Sequence, residues 1–284
     1  MAFRYFLTFS MASLVLLAGP GRAADQVAPA PPPQPAESPL ATQPGFGIVV
    51  GGLGFVTPAY EGSDEYRVTG FPLVYPKFHS DGEGGFGSRV SIKGPDDVRF
   101  ALLRQGGFDA GPVVGYTFGR DEDDADLLRG LGDLDGGLLL GAYGGYRLEP
   151  FFFDAVYQRQ VSGQDDAGYQ IKLEAGTKTM LSDRLDLRTS LGTSYASDDY
   201  MGTFFGITPA QSAASGLSAY EAEGGFKSVG IDLEMNYQLT DRAGFKASAG
   251  YSRLIGDAAD SPITASRDQF RGGIGLSYTF GAVR

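Results

Sequence analysis

Cysteine is missing from the whole chain. That excludes a disulfide framework and the acylated cysteine of a lipoprotein. Tryptophan is missing as well, and His79 is the only histidine. Hydrolytic and acyl-transfer sites generally need a histidine or comparable base beside a nucleophile, so little of that chemistry is open to this chain. There is no His or Cys cluster for a transition metal. Clustered Lys and Arg of the kind that contact phosphates are also lacking, which excludes nucleic acid as a partner. After the first 23 residues no window approaches the roughly 20 apolar residues of a spanning helix.

What is present divides the chain into four parts. Residues 1–23, MAFRYFLTFSMASLVLLAGPGRA, carry an early Arg4, an apolar stretch to Leu17 and small residues Gly21 and Ala23, the pattern of a cleaved secretory signal peptide. Residues 24–44 are rich in proline and alanine without periodicity and read as a periplasmic linker. Residues 45–280 are long enough for one large domain, and residues 281–284 form a short C-terminal extension. Loss of Arg4 and Arg22 leaves 21 basic against 34 acidic residues, a mature balance of −13.

The full chain of 284 residues has 43 glycines, 20 phenylalanines and 15 tyrosines, a composition suited to strands and turns. Its dominant signal is a period of two. In YQIKLEAGTKTM, Tyr169, Ile171, Leu173, Ala175 and Thr177 stand opposite Gln170, Lys172, Glu174 and Lys178. The same alternation recurs in GYRLEPFFFDAVYQRQ, RLDLRTSLGTSY, GIDLEMNYQL and QFRGGIGLSYTF. Twelve strands are expected, near 45–55, 67–78, 86–93, 97–104, 107–118, 136–148, 150–160, 168–180, 183–196, 226–239, 242–256 and 267–280. From the fifth strand on, tight turns such as LEP, LSDR and LTDR alternate with long connections without a miss.

That parity separates a lipid-facing sheet from a soluble sandwich. A sandwich has no reason to collect every tight turn at one end, whereas an outer-membrane barrel has short periplasmic turns and long external loops. The fold expected is all-β: a closed antiparallel transmembrane barrel of about 12 strands. Tyr116, Phe118, Tyr146, Phe151, Tyr157, Tyr195, Tyr237, Tyr251, Tyr278 and Phe280 supply two interfacial girdles. Outer-membrane lipid and lipopolysaccharide are then the surroundings of the apolar face, and no cofactor is implied.

On the opposite face Asp154, Lys172, Glu174, Lys178, Asp186, Arg188, Asp232, Glu234, Lys246 and Arg271 are the lumen-lining candidates. They either line a narrow pore or close it as a salt-bridge network, and an occluded lumen is favoured. His79, followed by Ser80 and Asp81, falls on a periplasmic turn; sequence neighbours do not make a triad, and it reads as a solvated residue. The pairs Asp123 and Asp124, Asp165 and Asp166, and Asp198 and Asp199 fall in external loops. They read as solvated charge rather than a divalent-cation site bridging to lipopolysaccharide, since no D-x-D-x-D-G loop with a closing Glu occurs. GIVVGGLGF is not a phosphate loop, because no helix and no GK[ST] follow. In GTFFGITPAQSAASGL a short helix is expected to start at Thr208 and Pro209, within a plug, an adhesive surface or plain loop packing.

The segments FFGITPAQSAASGL at 204–217 and YSRLIGDAADSPI at 251–263, with the closing SYTF, resemble the MipA/OmpV family of outer-membrane proteins. PAYEGSDEY at 58–66, FPLVYP at 71–76 and YTFGRDEDD at 116–124 are similar to it as well, so the resemblance spans about residues 45–280. It marks two loops: Tyr60, Glu61, Gly62, Ser63 and Asp64, and then Gly256, Asp257, Ala258, Ala259, Asp260, Ser261 and Pro262. The chain departs from the pattern at its end, where GAVR follows Phe280, the aromatic on which such barrels close. The resemblance implies a barrel without catalysis of its own, acting as a scaffold between a lytic transglycosylase and a peptidoglycan synthase. A narrow channel for small solutes is the alternative.

Overall fold

A computed structural model describes residues 46–78, 89–164 and 167–281. The expected signal peptide and linker, the turn with His79, the pair Asp165 and Asp166, and residues 282–284 lie outside the described residues. No helix of the described residues is long and apolar enough to cross a membrane.

Thirteen strands form one antiparallel sheet: β1 (Phe46–Pro58), β2 (Tyr66–Phe78), β3 (Val90–Gly94), β4 (Asp97–Phe100), β5 (Leu103–Gln105), β6 (Phe108–Thr117) and β7 (Gly137–Leu148). Then follow β8 (Phe151–Gln160), β9 (Tyr169–Ser182), β10 (Leu185–Ala196), β11 (Gly225–Gln238), β12 (Ala243–Leu254) and β13 (Asp268–Gly281). Neighbours run β2-β1-β13-β12-β11-β10-β9-β8-β7-β6-β4-β3, with β5 also on β6. First and last strands are joined, from Gly47 opposite Gly281 to Val56 opposite Gly272. Among the described residues no ladder joins β2 to β3. The sheet nevertheless curls: the rings of Phe71 in β2 and Phe118, just past β6, stack with centroids 6.0 Å apart.

The fourth expected strand, 97–104, is two strands instead of one. Arg99 stands opposite Val113 but Leu103 stands opposite Ala110, so one side takes four steps while the other takes three. The extra residue is a bulge, set against Gly111 and Pro112. Pro112 has no N–H to give to the ladder, so regular pairing cannot run through it.

From β5 on, turns and loops segregate by length, whereas the two-residue turn 95–96 between β3 and β4 lies toward the loop end, beside Tyr116. Gly106 and Gly107 both have positive φ, 57° and 85°, as a two-residue hairpin turn with the twist of its strands requires. At the same end, residues 149–150 and 183–184 connect β7 to β8 and β9 to β10, and 239–242 connect β11 to β12. In that last turn Thr240 Oγ1 accepts from the N–H groups of Arg242 and Ala243 at 3.2 and 2.9 Å. The long connections, 59–65, 118–136, 161–168, 197–224 and 255–267, all lie at the other end. They contain α1 (Asp198–Phe205), α2 (Pro209–Ser215), α3 (Gly256–Asp260) and a 3₁₀ turn at Asp126–Leu128.

Alternation decides which side of the sheet is apolar. Ile231, Leu233 and Tyr237 of β11, Ile274, Leu276 and Tyr278 of β13, and Leu173 of β9 are exposed on one face. Between them along the strands, Asp232, Glu234, Arg271, Ser277, Lys172 and Glu174 point to the other. In all, 34 large apolar side chains of the described residues are exposed, far beyond the single patch a water-soluble domain tolerates. At the loop end this surface is rimmed by aromatic pairs, Tyr157 with Tyr169, Tyr195 with Phe226 and Tyr251 with Phe270. Tyr237 and the pair Tyr278 and Phe280 rim it at the turn end. Phe226 and Tyr237 bracket about 36 Å of β11, or about 25 Å of height at a 45° tilt, which matches the apolar band of an outer-membrane barrel.

Candidate functional site

On the inner face the ten candidate residues are all ion-paired. Four pairs are internal to that set: Arg188 Nη2 to Glu174 Oε2 at 2.8 Å, Lys178 to Asp186 at 3.5 Å, Lys246 to Glu234 at 2.6 Å, and Arg271 to Asp232 at 2.6 Å. Arg188 also lies 3.6 Å above the Phe152 ring. Asn236 ties the groups together, donating from Nδ2 to Asp186 and Glu234 at 3.0 and 3.3 Å.

The remaining two, Asp154 and Lys172, are held by residues from β3, β4 and the turn between them. Arg99 of β4 grips Asp154 at 2.6 and 2.9 Å and Asp97 at 2.6 and 2.7 Å. Lys93 of β3 reaches Asp154 at 3.3 Å and Glu174 at 3.9 Å. Asp96, in the turn, accepts from Lys172 Nζ at 2.9 Å, and its carbonyl accepts from Gln158 Nε2. β3 is separated from β8 and β9 along the sheet by several strands, so these contacts put the β3–β4 turn across the concave side.

At the loop end β11 carries a second bulge. Ser194 stands opposite Ser228, but Tyr195 stands opposite Phe226, so Lys227 is the extra residue. Phe226 and Val229 stay on the apolar face, and Lys227 is buried on the other. Its ammonium bonds Glu61 at 2.5 and 2.7 Å and lies 5.0 Å from the centroid of the Tyr200 ring. The Tyr200 hydroxyl donates to the same carboxylate at 3.5 Å. Burial, and then the Glu61 charge, raise the Tyr200 phenol well above its usual range, so it remains a donor.

Above this anchor the long loops pack into a cap with its own apolar core. Tyr60, Leu128, Leu131, Ile207 and Ile263 form one cluster; Met201, Phe205, Ala222, Leu254 and Ala258 form another, and Tyr220 packs on both. The local sequence explains the helices. Ser197 and Thr208 are N-caps of α1 and α2, Thr208 completes a capping box with Gln211, Pro209 occupies the first turn, and Gly216 ends α2 at φ 78°. Asp198 and Asp199 fall in the first turn of α1, where the helix dipole favours them. Among the described residues no group of three or more His, Cys, Asp or Glu could hold a metal ion.

The two motif loops meet in this cap. The Tyr60 hydroxyl donates to Ile263 O at 2.8 Å, and burial pushes its phenol up to about 12. Gly62, at φ 106°, donates to Gln269 Oε1 at 3.1 Å and accepts from Ser266 N–H at 2.9 Å. Its Cβ-free face is pressed against Thr264. The Ser63 hydroxyl accepts from Glu65 N–H at 3.0 Å. Asp257 accepts from the Tyr220 hydroxyl and from Glu223 N–H, Ala258 O accepts from Thr264, and Ser261 donates to Phe205 O. Ala259 O and Asp260 hold Arg267. From the 118–136 loop, Arg120 donates to Phe204 O at 3.0 Å, at the C-terminal end of α1. Lys227→Met should loosen this cap by about 1.5–3 kcal/mol, the range for a hydrogen bond to a charged group. Limited proteolysis of the folded protein should then cut within 59–65 faster than in wild type.

Comparison with known proteins gives the arrangement its context. The family described as MltA-interacting protein MipA matches residues 50–280. The chain belongs to this family. It is 26% identical to the outer membrane protein OmpV of Vibrio cholerae serotype O1 over 184 residues, 63% of this chain and 66% of OmpV. It is also 26% identical to Omp26La of Vibrio anguillarum over 171 residues, 58% of this chain and 62% of that protein. The chain spans less than two thirds of the length of the curated relatives it matches. An outer membrane channel from Pseudomonas putida F1 aligns with 88% of this chain and 100% of its own at 12% identity, with a TM-score of 0.39. Both relatives are named as outer membrane proteins, and this chain is an all-β protein of the outer membrane.

Lys93, Asp96, Arg99, Lys227 and Glu61's ionic role escape a reading by alternation. β3 and β4 are too short to show a period, and the bulge at Lys227 breaks it. One signal was available: Phe226 and Val229 are apolar residues three apart inside a period of two, the spacing a bulge produces.

Proposed function

We propose that this MipA-family protein is a closed outer-membrane barrel without catalytic activity, and that it serves as a platform for a lytic transglycosylase and a peptidoglycan synthase. The contact between the Phe71 ring of β2 and the Phe118 ring just past β6 supports closure between these two sides of the sheet. Residues 24–44 are the periplasmic linker before it. The observation that carries the non-conducting part of the reading is charge balance. Nine inner-face or cap-anchoring cations are matched by nine carboxylates within ion-pair distance. An ion-selective path needs a row of one sign, and matched pairs cancel such a field. The β3–β4 turn and the cap further obstruct the axis. The family description supports the choice of partner.

Planar-bilayer recording of the refolded protein is expected to show no discrete ohmic steps, and a lytic transglycosylase is expected to co-purify from detergent extract. Steps that disappear in Arg188→Met or Lys246→Met, without such co-purification, would establish the solute channel in its place.

A further inference from the structure

Along β1 and β2 the inner face changes character. Val49 and Leu53 are buried there, with Phe55, Phe71 and Leu73 beside them, whereas the inner faces of β8 to β13 carry the ion pairs. Two glycines of β13 make room for this apolar wall. A Cβ at Gly273 would come within 2.7 Å of Phe55 Cδ1, and one at Gly275 would collide with Leu53.

Among the described residues no ladder covers the second edge of this same strand, β2, and the chemistry of that edge can be read from the β1 pairing. Ala59 N–H donates to Glu65 O at 2.9 Å, continuing the β1–β2 pairing, so odd-numbered residues of β1 sit in the hydrogen-bonded pairs. Pro72, opposite Gly52, and Pro76, opposite Ile48, therefore fall in the intervening pairs. Both turn the side of the backbone that would carry an N–H away from β1, toward that second edge. Whatever lies against that edge receives no hydrogen bond at either position. Pro72 is the central residue of the strand, and Pro76 lies toward the short turns. Val68 and Val74, on the outer side of β2, are 79% and 71% exposed, more than the lipid-facing residues of the fully flanked strands.

We propose that β2 is a seam through which an acyl chain of a membrane phospholipid passes laterally from the bilayer onto the apolar inner wall formed by Val49, Leu53, Phe55, Phe71 and Leu73. An ordinary barrel strand in lipid satisfies its backbone on both sides, because hydrocarbon offers no substitute. A strand that lacks two of its edge donors, at Pro72 and Pro76, is built for a join held in part by side chains, which can part at less cost than a full ladder. The cap covers the axial route at the loop end, and at the wall next to the seam a hydrocarbon chain meets apolar side chains in place of the ion pairs carried by β8 to β13. The ligand class is thus a long-chain lipid tail.

The absence of tryptophan makes the test direct. Single-tryptophan variants are refolded into vesicles of dibrominated phosphatidylcholine, whose bromines quench indole on contact with the acyl chains. Leu173→Trp, on the outer face, should lose most of its emission, and Lys172→Trp, on the ionic inner wall, should keep it. Leu73→Trp is expected to be quenched like Leu173→Trp, and Phe55→Trp repeats the reading on the neighbouring strand. Restoring donors with Pro72→Val and Pro76→Val should complete the edge and return emission at position 73. Emission at 73 and 55 equal to that of Lys172→Trp overturns the proposal. Quenching at 73 that is unchanged by the two valines overturns it as well, since the tails would then arrive by another route. An unquenched Leu173→Trp would remove the lipid-facing band itself and the proposal with it.

Discussion

Leu173→Arg should leave most of the refolded chain outside the bilayer. The side chain is exposed on the apolar face of β9, flanked by Ala155 on β8 and Thr193 on β10. A guanidinium there loses its water and meets hydrocarbon, at a cost of about 2–4 kcal/mol near the bilayer midplane. Lys172→Ser, one residue away, should cost under about 1 kcal/mol. It removes an ion pair to Asp96 whose two side chains are 39% and 44% exposed on the inner face, where water replaces the lost partner. Equilibrium insertion into phospholipid vesicles, followed by tyrosine fluorescence or the heat-dependent gel mobility of folded barrels, measures both. Equal tolerance of the two changes would reverse the facing of the sheet and, with it, the outer-membrane architecture.

Arg99→Met should be the most damaging change on the inner face. The Arg99 side chain is 5% exposed and its guanidinium is shared between Asp97 and Asp154, themselves 14% and 12% exposed, under the Tyr143 ring. Removing the cation leaves two largely covered carboxylates with only Lys93 in reach of one of them. Losing one partner of a buried pair costs about 3–5 kcal/mol, most of it the charge left behind. Urea unfolding from vesicles should show that loss, and Asp97→Asn with Asp154→Asn in the same chain should recover much of it. A triple variant no better than Arg99→Met would mean that Arg99 acts through packing on Tyr143 rather than through charge.

These two sites also mark what a one-dimensional reading reaches. Opposite faces for Leu173 and Lys172 follow from a period of two, and the sorting of LEP, LSDR and LTDR from the long loops follows from turn chemistry. The helix at Thr208 and Pro209 is equally local, since cap, proline and Gly216 are all within nine residues. Arg99 is different. Its strand is four residues long, its neighbour β5 is displaced by a bulge, and its partner Asp154 is 55 positions away. The cap is illegible for the same reason: Tyr60 and Ile263 meet across 203 positions, and nothing in either loop alone specifies the other. Local chemistry fixes strands and turns, while pairing partners depend on how the sheet curls.

The join between β1 and β13 also sets an order of events. Gly47 faces Gly281, so the two strands that complete the β1 ladder are the first and last of the described domain. Hairpins such as β7–β8 and β9–β10 close over two residues and form early, at little entropic cost. The terminal pairing must wait for the whole domain to be delivered, and until then β1 and the growing end both present bare backbone to water or lipid. A chain of this topology depends on chaperoning through export, and any stall before β13 arrives yields an aggregation-prone arc in place of a native protein.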